Sequence, residues 1–118
     1  MDNNKCGLIV ALDLPSLDGA RDFLDRLDKA TKYVKVGPRL YALGGVVFAK
    51  EIIDRGYELF LDLKLHDIPN TVKKAMAALS ALDVDIINLH AAGTKAMMSA
   101  ALEGLTRPDG TRPLLIAV

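Results

Sequence analysis

The chain alternates between short apolar runs and longer segments in which apolar residues recur at helical spacing. Five runs rich in β-branched residues have the length of buried strands, and helical spacing fills each of the four intervals between them. The predicted strands are 8–14, 33–37, 57–65, 84–90 and 113–118, and the predicted helices are about 16–30, 45–55, 70–82 and 94–105. Alternating strands and helices with short connections predict βαβ units, right-handed crossovers and a parallel sheet.

Polar residues and glycines mark the expected ends of these helices. Ser16 has the residue type of an N-cap for the first helix, and either Asn70 or Thr71 could cap the third. Gly56 stands where a left-handed C-terminal cap is expected after the second helix. A polar turn, 106–112, separates the fourth helix from the last strand.

Two parallel architectures fit this order, an open doubly wound sheet and a (β/α)8 TIM barrel. A dinucleotide-binding open sheet needs a glycine-rich fingerprint after its first strand, and the sequence LDLPSLDG at 12–19 does not contain one. Polar residues instead end each of the first four strands, which favours a barrel, whose active site collects residues from several strand ends. These residues are Asp13, Lys35, Asp62, Lys64, Asn88 and His90.

The length of the chain limits how much of a barrel it can supply. A complete barrel takes about 250 residues, so we expect the 118 residues here to supply the first five strands, with their helices, of a single barrel domain and no second domain. The last strand is apolar, and an exposed apolar edge strand promotes aggregation. We therefore expect a fragment of a longer barrel, or a piece that needs a partner. A complete flavodoxin-like domain would need a fifth helix.

Composition narrows the classes of partner. Lysine and arginine total 15, as do aspartate and glutamate, so the zero net charge gives no support to nucleic-acid or membrane-surface binding. The first apolar run has six residues, too few for a signal peptide or a membrane span. Cys6 is the single cysteine, which excludes an internal disulfide, and no convincing set of metal ligands is present. We expect a soluble cytoplasmic protein without a metal.

The stretch DLKLHD at 62–67 places charged residues at the end of an otherwise apolar strand. Residues two apart on a strand share a face, so Asp62 and Lys64 point the same way and the flanking leucines point the other way. Asp13 and Lys35 end the two preceding strands and can point inward beside them. Buried singly, such groups cost several kcal/mol each. Buried together they neutralise one another and hold a charged ammonium in a dry site, ready to donate a proton.

Spacing alone leaves simpler interpretations open for each of these residues. Asp62 and Lys64 also fit a structural ion pair at a strand end. Lys35 also fits a solvated strand end, and Asp13 a turn residue before a proline. Thr71 is most simply a residue of the first turn of a helix.

The segment FLDLKLHDIPNTV at 60–72 resembles the signature of the orotidine 5′-phosphate decarboxylase family. That signature is Asp-x-Lys-x-x-Asp followed by Ile-Pro-x-Thr at the end of the third barrel strand. Further landmarks of the family match at 11–13 (ALD), 34–37 (VKVG) and 89–93 (LHAAG). The resemblance extends from the first strand into the fifth. The matching signature residues are Asp62, Lys64, Asp67, Ile68, Pro69 and Thr71.

The resemblance implies decarboxylation of orotidine 5′-monophosphate to UMP, the last step of pyrimidine nucleotide synthesis, without a metal or cofactor. It makes Lys64 the proton donor to C6 of the pyrimidine and places Asp62 near the departing carboxylate. It implies that Lys35 joins the charge array and contacts the ribose, and that Asp13 binds ribose hydroxyls.

The resemblance also implies a homodimer with active sites at the subunit interface. The residues matching Asp67 and Thr71 would reach into the neighbouring subunit's site, and Ile68 would line it. The family's phosphate-gripping and pyrimidine-contacting residues follow strands five to eight, beyond Val118. We therefore expect the 118-residue chain by itself to turn over substrate poorly.

Two alternatives remain open. Magnesium-dependent sugar-phosphate enzymes, such as 3-keto-gulonate-phosphate decarboxylase and hexulose-phosphate synthase, share the Asp-x-Lys-x-x-Asp core but typically carry an acid on strand two. Lys35 on that strand and DIPNT at 67–71 favour the orotidylate enzyme. The second alternative is a non-catalytic half-barrel that associates with another half.

Overall fold

The computed structural model describes residues 7–118, so Cys6 lies outside the described part of the chain. The elements alternate as predicted. They are β1 Ile9–Ala11, α1 Leu17–Arg26, β2 Tyr33–Val36, α2 Pro38–Asp54, β3 Glu58–Leu65, α3 Pro69–Ser80, β4 Ile86–Leu89, a 3₁₀ turn at Ala91–Gly93, α4 Thr94–Leu105 and β5 Leu114–Ala117. The strands form one parallel sheet in the order β1-β2-β3-β4-β5, which is the sequential order expected of consecutive βαβ units.

The chain divides into two compact units, one ending at Phe60 and the other running from Leu61 to Val118. Strand β3 begins in the first unit and ends in the second. The assignment of the whole chain to a single domain stays a prediction.

In the first unit, α1 and α2 are joined by ion pairs as well as by apolar packing. Arg21 Nε donates to Glu51 Oε2 at 3.0 Å, and Arg55 Nη1 lies 2.7 Å from Asp25 Oδ1. The hydrogen bond to Glu51 raises the pKa of Arg21. The predicted cap of α1 is confirmed, because the Ser16 hydroxyl accepts a hydrogen bond from the Gly19 amide at 3.0 Å. The buried apolar side chains of this unit include Val34, Val36, Leu40, Phe48, Ile52 and Leu59.

Helix α2 begins seven residues earlier than its spacing predicted. Pro38 takes the first helical position, where its missing N–H costs nothing. Gly45 interrupts the helix with φ 55° and ψ −149°, a conformation that favours glycine. The prediction missed the segment before Gly45 because two successive glycines lower helix propensity. The predicted left-handed cap is confirmed at Gly56, which has φ 96°.

The second unit pairs β4 with β5 in parallel register, from Ile86 opposite Leu114 to Leu89 opposite Ala117. All four residues of β4 are buried, as expected of a central strand in a parallel sheet. Apolar side chains of β5 are largely exposed, Leu114 and Ile116 among them. No helix within residues 7–118 is both long enough and apolar enough to cross a membrane.

The predicted cap of α3 is wrong. Its N-cap is Ile68, and no side chain bonds to the free amides there. Pro69 occupies the first helical position, where its fixed φ favours the start of a helix. Asn70 and Thr71 consequently lie within the first turn instead of before it.

Candidate active site

Three polar side chains meet where β3 and β4 end in the second unit. Lys64 Nζ lies 2.7 Å from Asp62 Oδ1. Asn88 Nδ2 donates to the same oxygen at 2.7 Å, and Asn88 Oδ1 accepts from the Lys64 backbone N–H at 2.8 Å. These three hydrogen bonds close a ring that joins a carboxylate, an ammonium and a primary amide.

The Asp62 carboxylate is the buried member of the ion pair. Asp62 is 8% exposed, and burial of a charge is tolerated only when it is paired and hydrogen-bonded. Its Oδ1 atom receives one ammonium donor and one amide donor, and charge-assisted bonds of this kind are about twice as strong as neutral ones. The pairing predicted from the two-residue spacing of Asp62 and Lys64 is therefore present.

The Lys64 ammonium is held by a hydrogen bond but remains accessible to solvent. The Lys64 side chain is 41% exposed, whereas the sequence predicted a water-excluded network. Water therefore screens its attraction to Asp62, and the orientation of Lys64 rests on geometry more than on a low local dielectric.

The backbone of Lys64 departs from strand geometry. Its φ is 49°, a left-handed value that is uncommon for any residue other than glycine. Such conformations cost about 1–3 kcal/mol and concentrate at functional sites, where surrounding contacts hold them. The Lys64 N–H meets the Asn88 side chain in this conformation.

The residues predicted to face a neighbouring subunit follow β3 directly and lie at the surface. Asp67, Ile68 and Thr71 are all exposed, Ile68 to 66%. The Asp67 carboxylate accepts a hydrogen bond from the Ile68 amide at 2.7 Å. The three side chains are therefore accessible on the loop and first turn that lead into α3.

The two remaining predicted residues lie in the first unit, at the carboxyl ends of β1 and β2. Lys35 is opposite Ala11 in the parallel register and is partly buried. Asp13 is exposed in the loop after β1, where it lines a cavity of about 350 Å³ together with Gly37 and Arg39. The predicted placement of Asp13 and Lys35 beside Asp62 and Lys64 stays a prediction.

Asn88 is the functional candidate that sequence reasoning left without a role. In the sequence it stands only as a polar residue at a strand end, two positions before His90. The structure shows it 3% exposed, with both amide atoms engaged. Its signal in the sequence was a single amide inside the buried apolar run 84–90. His90 itself lies beside His66, with ring centroids 5.6 Å apart.

Residues 7–118 contain no cluster of three or more histidine, cysteine, aspartate or glutamate side chains arranged to hold a metal ion.

Comparison with known proteins gives one consistent family. A family model described as "Orotidine 5'-phosphate decarboxylase / HUMPS family" matches residues 7–118. An orotidine 5′-phosphate decarboxylase of Listeria monocytogenes is 50% identical over 112 residues, which are 93% of this chain and 48% of the relative. The enzyme of the same name from Shouchella clausii is 52% identical over 112 residues, 92% of this chain and 47% of the relative.

Solved structures agree with the sequence relatives. The crystal structure of orotidine 5′-phosphate decarboxylase from Lactobacillus acidophilus matches with a TM-score of 0.86 at 37% identity, over 96% of this chain and 52% of that one. An uncharacterised conserved protein from Geobacillus kaustophilus matches with a TM-score of 0.86 at 46% identity, over 92% and 52%. The chain spans about half the length of the curated relatives it matches.

These matches confirm the predicted fold class, a parallel α/β chain corresponding to part of a (β/α)8 barrel. The family match extends over every residue that the structure describes, including the segment that carries Asp62 and Lys64. The chain belongs to the orotidine 5′-phosphate decarboxylase / HUMPS family.

Proposed function

We propose that this chain provides the catalytic lysine and its carboxylate partner for decarboxylation of orotidine 5′-monophosphate to UMP. The observation that carries the proposal is the 2.7 Å pair between Lys64 Nζ and Asp62 Oδ1 at the end of β3. This pair lies in a chain about 50% identical to relatives named orotidine 5′-phosphate decarboxylase. A fixed ammonium next to a carboxylate suits a reaction in which negative charge develops on carbon.

The proposed step breaks the bond between C6 of the pyrimidine and its carboxylate. Carbon dioxide leaves and the bonding electron pair stays on C6. Lys64 Nζ gives a proton to C6, forming the C–H bond of UMP, and the neutral amine then takes a proton from water. An ammonium held in a fixed position stabilises the developing negative charge best, because a preorganised group has no reorganisation cost in the transition state. The contacts of Asp62 with Lys64 support this role.

The other predicted residues have supporting roles in the proposal. Asp13 and Lys35 would bind the ribose from the strand ends of the first unit, which is supported by the cavity that Asp13 lines. Asp67 and Thr71 would complete the site of a second subunit in a homodimer, and Ile68 would line it. Their exposure on the segment after β3 supports this assignment.

A magnesium-dependent sugar-phosphate reaction is the second candidate, because the matching family description also includes HUMPS. The proposal of an orotidine 5′-monophosphate decarboxylase is supported by the names of the curated relatives. A lysine at position 35 on β2, where the sugar-phosphate enzymes typically carry an acid, also favours it.

The test uses a graft that supplies a chain of full family length. Residues 7–118 replace the corresponding segment of the Listeria monocytogenes relative, and loss of orotidine 5′-monophosphate absorbance is followed with time. We expect the graft to decarboxylate this substrate, and Lys64→Ala to lower kcat by at least about 10³-fold, within the range of a general acid. Nucleotide binding should persist in that variant, since the proton donor acts on bond breaking and protonation.

Lys74→Ala is the matched control, because Lys74 is an exposed lysine on α3. It should keep kcat within about twofold, the size expected for a surface change away from the site. Near-parent turnover in Lys64→Ala would remove Lys64 from the proton-donor role. Loss of activity in EDTA that magnesium restores would favour the sugar-phosphate alternative. The 118-residue chain assayed alone tests its predicted low turnover.

A further inference from the structure

We propose that Asn88 is a positioning residue for the catalytic lysine. It acts on the Lys64 backbone directly and on the Lys64 ammonium through Asp62. The inference rests on the proposed function for its catalytic part and on the structure for its positional part. Asn88 is the only one of the three side chains in the hydrogen-bonded ring that comes from β4; Asp62 and Lys64 both come from β3. Asn88 therefore links β3 to β4 at the position of Lys64.

The two ends of the Asn88 amide have different and complementary tasks. Its oxygen accepts from the Lys64 N–H at 2.8 Å, and its nitrogen donates to Asp62 Oδ1 at 2.7 Å. A backbone N–H can only meet an acceptor, and an ionised carboxylate can only meet a donor. The neighbours thus define which way the amide faces, and a flipped amide would lose both bonds.

The first task concerns the backbone of Lys64. With φ at 49°, this residue lies in a region that L side chains adopt at a cost. The bond to the Asn88 oxygen gives the Lys64 N–H a partner in that conformation. Loss of the bond would leave the backbone at the catalytic residue free to relax toward ordinary strand geometry, and the ammonium would move with it.

The second task concerns the carboxylate. Asp62 Oδ1 receives Asn88 Nδ2 and Lys64 Nζ at the same distance of 2.7 Å. The Asn88 donor therefore contributes to fixing the direction of the oxygen that the ammonium follows. Because the Lys64 side chain is partly exposed, water competes for the ammonium, and this geometric constraint helps to keep it oriented.

The burial of Asn88 is consistent with a role in positioning the catalytic pair. It is 3% exposed in a strand whose other three residues are apolar, and it lies opposite Ile116 of β5. A buried amide is tolerated only where its bonds are made, and both of these bonds lead to the catalytic pair.

The first measurement uses the 118-residue chain and needs no catalysis. Amide hydrogen exchange at Lys64 is followed by NMR in the parent, in Asn88→Ala and in Asn88→Ser. The serine side chain keeps a polar group but is too short to bridge both partners. This second variant keeps the test decisive if the alanine variant does not fold. We expect exchange at the Lys64 amide to accelerate at least about tenfold in both variants, relative to other amides of β3 and β4. Unchanged protection at Lys64 would overturn the positional part.

The second measurement uses the full-length graft and separates kcat from KM for orotidine 5′-monophosphate. We expect both Asn88 variants to lower kcat by at least about 30-fold and to change KM by less than about threefold, the pattern of a group that serves the transition state. Parent-like kcat in both variants would overturn the catalytic part. A parent graft without activity would instead refute the proposed function, while the exchange result still decides the positional part.

Ser80→Ala is the matched structural control. Ser80 is buried in the same unit, and its hydroxyl donates to the Leu105 carbonyl at 2.7 Å, away from the catalytic pair. Its loss should lower the stability of the unit without changing kcat or the relative exchange at Lys64. If Ser80→Ala reproduced both effects of the Asn88 variants, Asn88 would be a general structural residue and the inference would be wrong.

Discussion

Replacing Gly104 by alanine tests how closely α3 and α4 pack. Gly104 lies on α4, and a Cβ atom built there would overlap the Lys73 carbonyl oxygen of α3. The same Cβ would lie 3.0 Å from the Lys73 carbonyl carbon and 3.1 Å from its Cα. Carbon atoms in favourable contact are about 3.5–4.0 Å apart. The two helices would have to separate by about 0.5–1 Å, and the obstacle is backbone that cannot rotate away.

Two opposing free-energy contributions decide the outcome. Alanine is about 1 kcal/mol more favourable than glycine inside a helix. Overpacking a close contact costs about 1–3 kcal/mol. The net effect of Gly104→Ala is therefore a loss of about 1 kcal/mol in the free energy of unfolding. With a urea m-value of about 2 kcal/mol/M, the unfolding midpoint falls by about 0.5 M.

The assay is urea unfolding of the 118-residue chain followed by circular dichroism at 222 nm. Ser99→Ala is the control, because Ser99 is an exposed residue of the same helix. It should raise stability by a few tenths of a kcal/mol through propensity alone. A Gly104→Ala chain as stable as the parent, or more stable, would show that the helices do not meet as closely as the structure indicates.

Two further predictions concern pH and assembly. Hydrogen bonds from the hydroxyl and amide of Thr111 lower the pKa of Asp109 below 3.8, so its stabilising contribution exists above the unfolded-state pKa and is lost as pH falls through the folded-state value. Asp109→Asn should therefore weaken the acid dependence of urea unfolding between about pH 5 and pH 2, and an unchanged dependence would contradict the linkage. In the graft, mixing inactive Lys64→Ala and Asp67→Ala subunits should restore about a quarter of the activity if each site takes Asp67 from its neighbour. No recovery after subunit exchange would place both residues in one subunit's site.

The order of elements could be predicted from the sequence because each is specified locally. Helix α4 was predicted from Thr94 to Leu105 and has those bounds, since apolar spacing begins after a glycine and a polar turn follows. The start of α2 was missed because Gly44 and Gly45 weaken its helical pattern. Gly45 itself is not helical, with φ 55°, so the predicted start corresponds to the part of α2 that follows this interruption.

The site likewise has a part that the sequence predicts locally and a part that depends on tertiary structure. The pairing of Asp62 and Lys64 follows from their spacing of two along a strand, which the sequence displays directly. The part played by Asn88 depends on the register between two strands whose bonded residues are 24 and 26 positions apart. Register is a tertiary property, and the left-handed φ of Lys64 has no local signal because lysine does not favour it. Neither could be predicted from one sequence.

The ring formed by Asp62, Lys64 and Asn88 lies within a single strand–helix–strand segment, β3-α3-β4. The proposed proton donor, its counter-ion and its support are therefore inherited together whenever this segment is duplicated or exchanged between barrels. A designer could move the ion pair of Asp62 and Lys64 as one cassette of about 32 residues, running from Glu58 to Leu89. Under the proposed function, the unit of transplantation is one crossover of the fold, which carries both the lysine and the residue that positions it.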